Sequence, residues 1–307
     1  MDGQAIFGAI EAGGTKFVCS VGTDNSIVAT TTIETTDPEE TVARACLFFD
    51  KMRVEMGCIR ALGIGAFGPV QIDPSQSNYG CILETPKPGW AYFDIRKAFM
   101  DRLAVPVWVN TDVNCALLAE AKWGAGEGVS KLLYITVGTG IGGALMHDGE
   151  LINGWSHPEM GHMLIARRKD DVVGFSGVCP YHGDGCVEGL ASGPALLARA
   201  KAPLHTLAAD SPIWELEASY LATLCLNVMM VSMPQKIILG GGVMQQSHLF
   251  PKIRKNFWQQ CNGYLNGGIS ESALENMIVP VALAGSAGAL GALKIAAHGY
   301  LNSSTLR

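Results

Sequence analysis

Cys179-Pro-Tyr-His182-Gly-Asp-Gly-Cys186, just downstream of Glu159-Met-Gly-His162, gathers four soft or borderline metal ligands into one short stretch of chain. Zinc takes four nitrogen or sulfur ligands in a tetrahedron; Cys179, His182 and Cys186 supply three across short loops, and His162 is placed to supply the fourth. Cys-x-x-His is less specific than paired Cys-x-x-Cys, so unligated thiols beside a surface histidine are the competing description. A hydrolytic zinc of the His-Glu-x-x-His kind needs a helix, which Pro158 and Gly161 oppose, so a structural ion is expected. Glu159 and Glu188 stand beside the cluster. They are either solvated charges or acceptors for sugar hydroxyls, since a carboxylate can accept two hydrogen bonds.

Glycine turns form a second set of candidates. Gly13-Gly14-Thr15-Lys16, Gly138-Thr139-Gly140-Ile-Gly142-Gly143 and Gly240-Gly241-Gly242 each follow an apolar, strand-like run. Successive backbone N–H groups without Cβ atoms hold phosphate oxygens without a cage of charge. Any one of them alone is equally a tight hairpin; three together point to a polyphosphate. The second matches the dinucleotide fingerprint, but that motif needs a helix after its third glycine, and Asp148-Gly149 and Asn153-Gly154 interrupt too early. Ser192-Gly193-Pro194 before Ala195 reads as a helix start, whose free N–H groups favour phosphate, or as a plain cap. Asp112 lies between a strand at Val105 to Val109 and a helical face of Val113, Leu117 and Ala121. Such junctions line clefts in α/β folds and suit a general base; a helix cap worth about 1 kcal/mol uses the same position.

The elements that must position these groups come in two sets. Ala5 to Ile10, Phe17 to Val21 and Ile27 to Ile33 read as strands joined by turns, followed by a helix capped at Asp37 with Pro38 first and Glu40 completing a capping box. The pattern restarts at Leu132 to Val137, turns, returns at Ala144 to Met146 and turns again. A strand, turn, strand, turn, strand unit occurring once in each half predicts two related α/β domains that face one another. Further elements follow: a strand at Ala61 to Gly65, a helix from Pro212 to Met233, strands at Lys236 to Leu239 and Met277 to Val281, and a tail helix from Ser286 that Gly299 is placed to end.

Bulk properties narrow the function. A chain of 307 residues exceeds the usual single core, so two domains with a cleft are expected. A net charge of −6, with no basic run longer than Arg167-Arg168-Lys169, excludes a nucleic-acid surface and points to a small partner. Nine cysteines, five of them inside apolar patterns, argue against a disulfide scaffold and for a reducing cytoplasm. No apolar run of about 18 residues is present and Asp2 stands where a secretory signal carries positive charge, so neither a membrane span nor export is expected.

Taken in order, these segments resemble the ROK family of sugar kinases and repressors, and more narrowly its bacterial fructokinase branch. The likeness covers nearly the whole chain, and includes Gly8 to Lys16, Gly65 to Val70, Thr85 to Trp90, Asn110-Thr111-Asp112-Val-Asn114, Thr136 to Gly143, Glu159 to His162, Cys179 to Glu188 and Leu239 to Gly242. It implies an actin-like, RNase H-like duplicated fold: an N-terminal lobe of 1–112 joined by the helix of 286–307, and a C-terminal lobe of 113–285 carrying a zinc-binding loop at 157–188, with ATP in the cleft and a sugar at the hinge. Asp112 then matches the catalytic base. Gly13, Gly14, Thr15, Lys16, Thr136, Gly138, Thr139 and Gly140 match the phosphate loops, with Gly193 and Pro194 beside them, and Gly240, Gly241 and Gly242 the adenosine-side turn. Gly68, Asn110, Thr111, Glu159, His162 and Glu188 match the sugar side, and His162, Cys179, His182 and Cys186 the zinc site.

Glu11, Thr111 and His182 replace the Asp, Asn and Cys of most glucose-using members, and all three lean toward the fructokinase branch. The resemblance therefore implies an ATP-dependent hexose kinase acting on the 6-hydroxyl of fructose, with mannose, glucose and N-acetylated hexoses as alternative substrates, Mg²⁺ entering with ATP, structural Zn²⁺ and a cytoplasmic homodimer. A non-catalytic sugar sensor would need no base at Asp112. A repressor of the same family would need a DNA-binding domain before the first strand, where only five residues precede Ile6.

Overall fold

The computed structural model describes residues 5–265, 268–283 and 285–304. In chain order its strands and α-helices are β1 (Ile6–Ala12), β2 (Lys16–Gly22), β3 (Ile27–Glu34), α1 (Pro38–Met56), β4 (Ile59–Ala66), α2 (Ile95–Leu103), β5 (Val107–Thr111), α3 (Asp112–Trp123), β6 (Lys131–Val137), β7 (Ile141–His147), β8 (Glu150–Leu151), α4 (Val187–Ala191), α5 (Gly193–Ala200), α6 (Pro212–Ser232), β9 (Lys236–Gly240), α7 (Leu249–Cys261), α8 (Leu274–Met277), β10 (Ile278–Pro280) and α9 (Ala287–Ser304). They divide into two compact units. The first comprises the described residues of Met1–Lys122, Asn153–His157 and Leu283–Arg307; the second comprises those of Trp123–Ile152 and Pro158–Ala282.

Each unit is built on a five-stranded sheet, ordered β3-β2-β1-β4-β5 in the first and β10-β9-β6-β7-β8 in the second. Read from the other edge, the second is β8-β7-β6-β9-β10, so the two have one topology. In both, the opening strand pairs antiparallel with its successor and parallel with a later strand. The repeated strand and turn pattern of the sequence is this duplication, although its last strand in the second unit, β8, is only two residues long.

In the first unit the apolar faces of β1, β2, β4 and α1 close over Phe17, Phe49, Ile64 and Trp90, all fully buried. The indole of Trp90 packs against Phe17, Phe67 and Phe93 and donates to Thr36 O at 2.9 Å. The cap of α1 is as expected at Asp37, whose Oδ1 accepts from Glu40 N at 3.0 Å; the Glu40 carboxylate turns back to the Thr36 hydroxyl at 2.7 Å instead of to the Asp37 N–H.

The expected junction lies after residue 112, and the compact units divide after Lys122; α3 is held in the first unit by close approaches: a Cβ on Gly291 of α9 would lie 1.8 Å from Cys115 O, and one on Gly65 of β4 would lie 3.0 Å from Cys115 Sγ. One expectation is corrected. Gly299 does not end the tail helix, which continues to Ser304; it makes room for the Trp108 ring, 2.2 Å from where its Cβ would stand.

In the second unit a buried charge network ties the long α6 to the loop before α4. Asp171 accepts from Arg199 Nε and Nη2 at 2.8 and 2.9 Å and from the Tyr220 hydroxyl at 2.7 Å. Both oxygens of fully buried Glu217 lack a hydrogen-bond partner; burial pushes its carboxyl well above the usual range, and the nearby charge of Arg199 opposes this incompletely. The folded state therefore keeps a proton that the unfolded chain releases at ordinary carboxylate pH, so this group subtracts stability as pH rises above its unfolded value. Glu217→Gln, neutral at every pH, is expected to gain on wild type in urea midpoint as pH goes from about 5 to about 8. A difference constant over that interval would show that Glu217 is ionised in the fold.

Candidate active site

In the first unit, β1, β4 and β5 run parallel and their C-terminal ends align. Glu11 pairs with Gly65, Gly65 with Asn110, and Ala66 with Thr111. Asp112 opens α3 directly after β5, its Oδ1 accepting from Val113 N at 2.8 Å. Asn114, buried one step on, donates to Asn110 Oδ1 at 2.7 Å and to Asn153 Oδ1 at 3.3 Å. The Asn110 oxygen also accepts from Thr111 N at 2.9 Å, so the group this side chain has left to meet a hydroxyl is its NH₂ donor. Burial raises the Cys115 thiol first, and the charges of Asp112 and Glu11 raise it further, which puts both carboxylates within electrostatic reach of one buried sulfur. Burial also raises the Glu11 carboxyl, against the pull of Lys16.

The glycine turn after β1 is closed by Gly13 N donating to Lys16 O at 2.9 Å and is held by the Thr35 hydroxyl on Gly13 O at 2.9 Å and by Lys87 Nζ on Gly14 O. Thr15 and Lys16 at its tip are exposed. Gly68 is exposed on the next loop, whose Val70 N donates to His157 Nε2 at 3.2 Å.

In the second unit three glycine segments converge. Thr136 pairs with Gly240 across β6 and β9; Gly193 N, at the start of α5, donates to Gly138 O at 2.8 Å; and Gly241, at φ +90°, packs where a Cβ would stand 2.4 Å from Val137 O. Thr139 is exposed at the tip of the loop. No helix follows Gly143, since β7 runs straight through it, as expected for a phosphate hairpin in place of a dinucleotide fold. Pro194 occupies the first turn of α5, where a missing N–H costs nothing.

Glu188 on α4 braces this loop, with Oε2 accepting from Ile141 N at 2.9 Å. A Cβ on Gly140 would lie 2.6 Å from that oxygen. Gly140→Ala is therefore expected to displace the carboxylate and to raise KM for ATP about tenfold, the worth of one charge-assisted hydrogen bond, with an unchanged melting temperature. An unaltered KM in initial-rate measurements would show that the brace does not shape the loop expected to bind phosphate.

His162, Cys179, His182 and Cys186 offer ligand atoms that all lie within 4.8 Å of one another. His162 Nδ1 is 3.7 Å from Cys179 Sγ and 4.0 Å from Cys186 Sγ, and His182 Nδ1 is 3.7 Å from Cys179 Sγ. Tetrahedral zinc with bonds of about 2.0–2.3 Å sets its ligand atoms roughly 3.5 Å apart, so two thiols and two imidazoles at these separations fit zinc in both donor type and spacing. The other ring nitrogen of His162 lies 4.0 Å from Glu188 Oε1, the kind of outer carboxylate that orients a ligating histidine. Glu159 is reached by solvent, yet the protein crowding it and, second, the charge of Glu188 push its carboxyl up to about 7.

The sites expected from sequence thus fall into two sets: Gly13 to Lys16, Gly68, Asn110, Thr111 and Asp112 in the first unit, and the remaining phosphate, sugar-side and metal residues in the second. Thr111 is buried, and its hydroxyl accepts from Asn114 N at 3.0 Å, so it caps α3. Sequence reasoning did not assign Glu11, Asn114 or Asn153. A lone charged residue at the end of an apolar strand was the available signal for Glu11; Asn153 is brought to Asn114 only by tertiary structure.

Residues 7–298 match the sequence pattern described as the ROK family. A fructokinase of Pediococcus pentosaceus is 40% identical over 97% of this chain and 100% of its own length, and one of Zymomonas mobilis is 39% identical over 95% and 97%. Among solved structures, a ROK family glucokinase from Streptomyces griseus in complex with glucose and AMPPNP aligns with a TM-score of 0.75 at 26% identity, over 97% of this chain and 100% of that one. From the first strand to the last helix, in topology as in sequence, the chain belongs to the ROK family.

Proposed function

We infer that the protein is an ATP-dependent fructokinase that transfers the γ-phosphoryl group of ATP to the 6-hydroxyl of fructose. The observation that carries this reading is a carboxylate, Asp112, held at a strand-to-helix junction two residues after Asn110, whose NH₂ is left to donate, in a chain about 40% identical along its length to fructokinases. Asp112 takes the proton of the sugar hydroxyl as that oxygen attacks phosphorus. Asn110 donates to a neighbouring hydroxyl. Glu159, His162 and Glu188 supply acceptors and a ring N–H for the rest of the sugar, and Gly68 leaves the approach open.

The N–H groups of Gly14 and Thr15 and of Thr139 and Gly140 bind the phosphates and stabilise charge spreading over the transferring oxygens, while those of Gly13 and Gly138 close the two turns on Lys16 O and Gly140 O and Lys16 brings its ammonium charge. Gly193 and Pro194 add the start of α5, and Gly240 to Gly242 form the nucleoside side. Magnesium arrives with ATP as part of the substrate. His162, Cys179, His182 and Cys186 would hold zinc, which supplies cross-linking of the loop that carries the sugar contacts and takes no part in transfer.

The same reading makes the protein a cytoplasmic homodimer. All nine cysteines are free, no described helix is long and apolar enough to cross a membrane, and exposed Met230, Val231 and Met233 at the end of α6 provide apolar surface for a second copy. Coupled ADP release with fructose, mannose, glucose and N-acetylglucosamine tests the substrate: fructose is expected to give the highest kcat/KM. A higher value for any of the others would replace it.

A further inference from the structure

Glu11 is the only charged residue of β1, at the end where that strand meets the glycine turn. The register places it beside Gly65, and through Gly65 beside Asn110, with Asp112 two residues further along the chain. On its other side it meets the first turn of α9. A Cβ on Gly288 would lie 2.4 Å from Glu11 Oε2, 2.5 Å from Cδ and 2.9 Å from Cγ.

These three nearest atoms all belong to one side chain. Gly63 and Gly291 differ, since their absent Cβ atoms would strike backbone oxygens at 1.9 and 1.8 Å and so serve the packing of α9 on β4 and α3. Glycine within a helix costs about 1 kcal/mol relative to alanine. At position 288 the structure supplies one reason for bearing that cost, the Glu11 side chain. The first helical turn also carries the positive end of the helix dipole, which favours a carboxylate there.

We propose that Gly288 is a positioning residue for the phosphoryl-transfer site: the space left at its α-carbon sets where the Glu11 carboxylate lies beside Asp112. An aspartate at position 11 is one methylene shorter and would need less of that space, losing the closest approach at 2.4 Å and keeping the one at Cγ, so glycine at 288 and glutamate at 11 form a matched pair. A carboxylate in this place acts on the charge of Asp112 and on the divalent cation that accompanies ATP, so its displacement alters turnover before it alters sugar binding. The effect on turnover rests on the kinase reading above; the placement of Glu11 does not.

The test uses the full chain as wild type, Gly288→Ala, Glu11→Asp and the double variant. Because the clash is with a flexible side chain, Gly288→Ala is expected to fold with a melting temperature no lower than wild type. Its kcat should fall about tenfold, as for a misplaced reacting group, with KM for fructose little changed. In the Glu11→Asp background the same alanine should have a markedly smaller effect. Independently of activity, the ¹³C titration of the Glu11 carboxyl should shift between wild type and Gly288→Ala. An unchanged titration, a large loss of melting temperature in Gly288→Ala, or single effects that multiply in the double variant would each overturn the proposal. Failure of the wild type to phosphorylate fructose would overturn the kinase reading alone, leaving the titration to decide the pairing.

Discussion

Replacing Asp112 by Asn is expected to lower kcat for fructose phosphorylation by about 10³-fold, within the range that general-base catalysis contributes. Asparagine has the same shape, and its oxygen can still accept from Val113 N, the bond of 2.8 Å that starts α3. The local fold and the Asn110, Thr111 and Asn114 network should therefore persist. What is lost is the ability to hold a proton as the sugar oxygen becomes nucleophilic. Affinity for ATP and fructose should change by no more than about twofold, the pattern for a group that acts only in the transition state. Coupled ADP-release kinetics with calorimetric titration of each substrate separate the two quantities. A variant retaining kcat within about tenfold of wild type would remove Asp112 as the base.

The second large effect is expected on removing the metal ligands. Cys186 is fully buried, and its sulfur accepts from Gly189 N at 3.4 Å, so Cys186→Ala removes a ligand from the interior of the knot. Metal content should fall from one zinc per chain to none. Structural zinc binding is folding free energy, and a loss of even about 4 kcal/mol lowers the melting temperature by roughly 10 °C in a protein of this size. KM for fructose should rise more than KM for ATP, because His162 is itself a member of the knot, whereas the glycine segments are reached only through Glu188 and keep their own backbone pairing. Elemental analysis and thermal unfolding check this. Well-folded wild-type protein containing no zinc, with a melting temperature indifferent to chelators, would contradict the metal assignment.

Much of this architecture is legible where local chemistry and tertiary structure agree. The two strand and turn repeats, the Asp37 cap, the helix opening at Pro212 and the junction at Asp112 all carry signals within a few residues, and all form. Legibility fails where the deciding partner is distant. The strand read as ending at Val109 continues through Asn110 and Thr111 because Gly65 and Ala66 of β4 pair with them. Gly299 has the composition of a helix stop, but the Trp108 ring gives it another function. Helix α2 presents Ile95, Phe99 and Leu103 about once per turn, a stripe too sparse to stand out over nine residues. Helix α7 carries Pro251 in its first turn, where a proline disguises a helix it does not disturb.

The site divides in the same way. Its loops and ligands announce themselves by residue type, as the Cys and His cluster does. The parts that orient them, such as Glu188 on Ile141 N, Asn114 on Asn110 and the void at Gly288, exist only once the chain is folded.

Every residue role above depends on movement of the terminal phosphoryl group of ATP onto one particular hydroxyl of fructose. Phosphorus NMR of the reaction of wild-type protein with ATP, Mg²⁺ and fructose tests it most directly. The expected result is conversion of the γ-phosphorus signal into that of fructose 6-phosphate, in step with ADP. Appearance of fructose 1-phosphate, release of inorganic phosphate alone, or no change in the ATP signals would contradict the account.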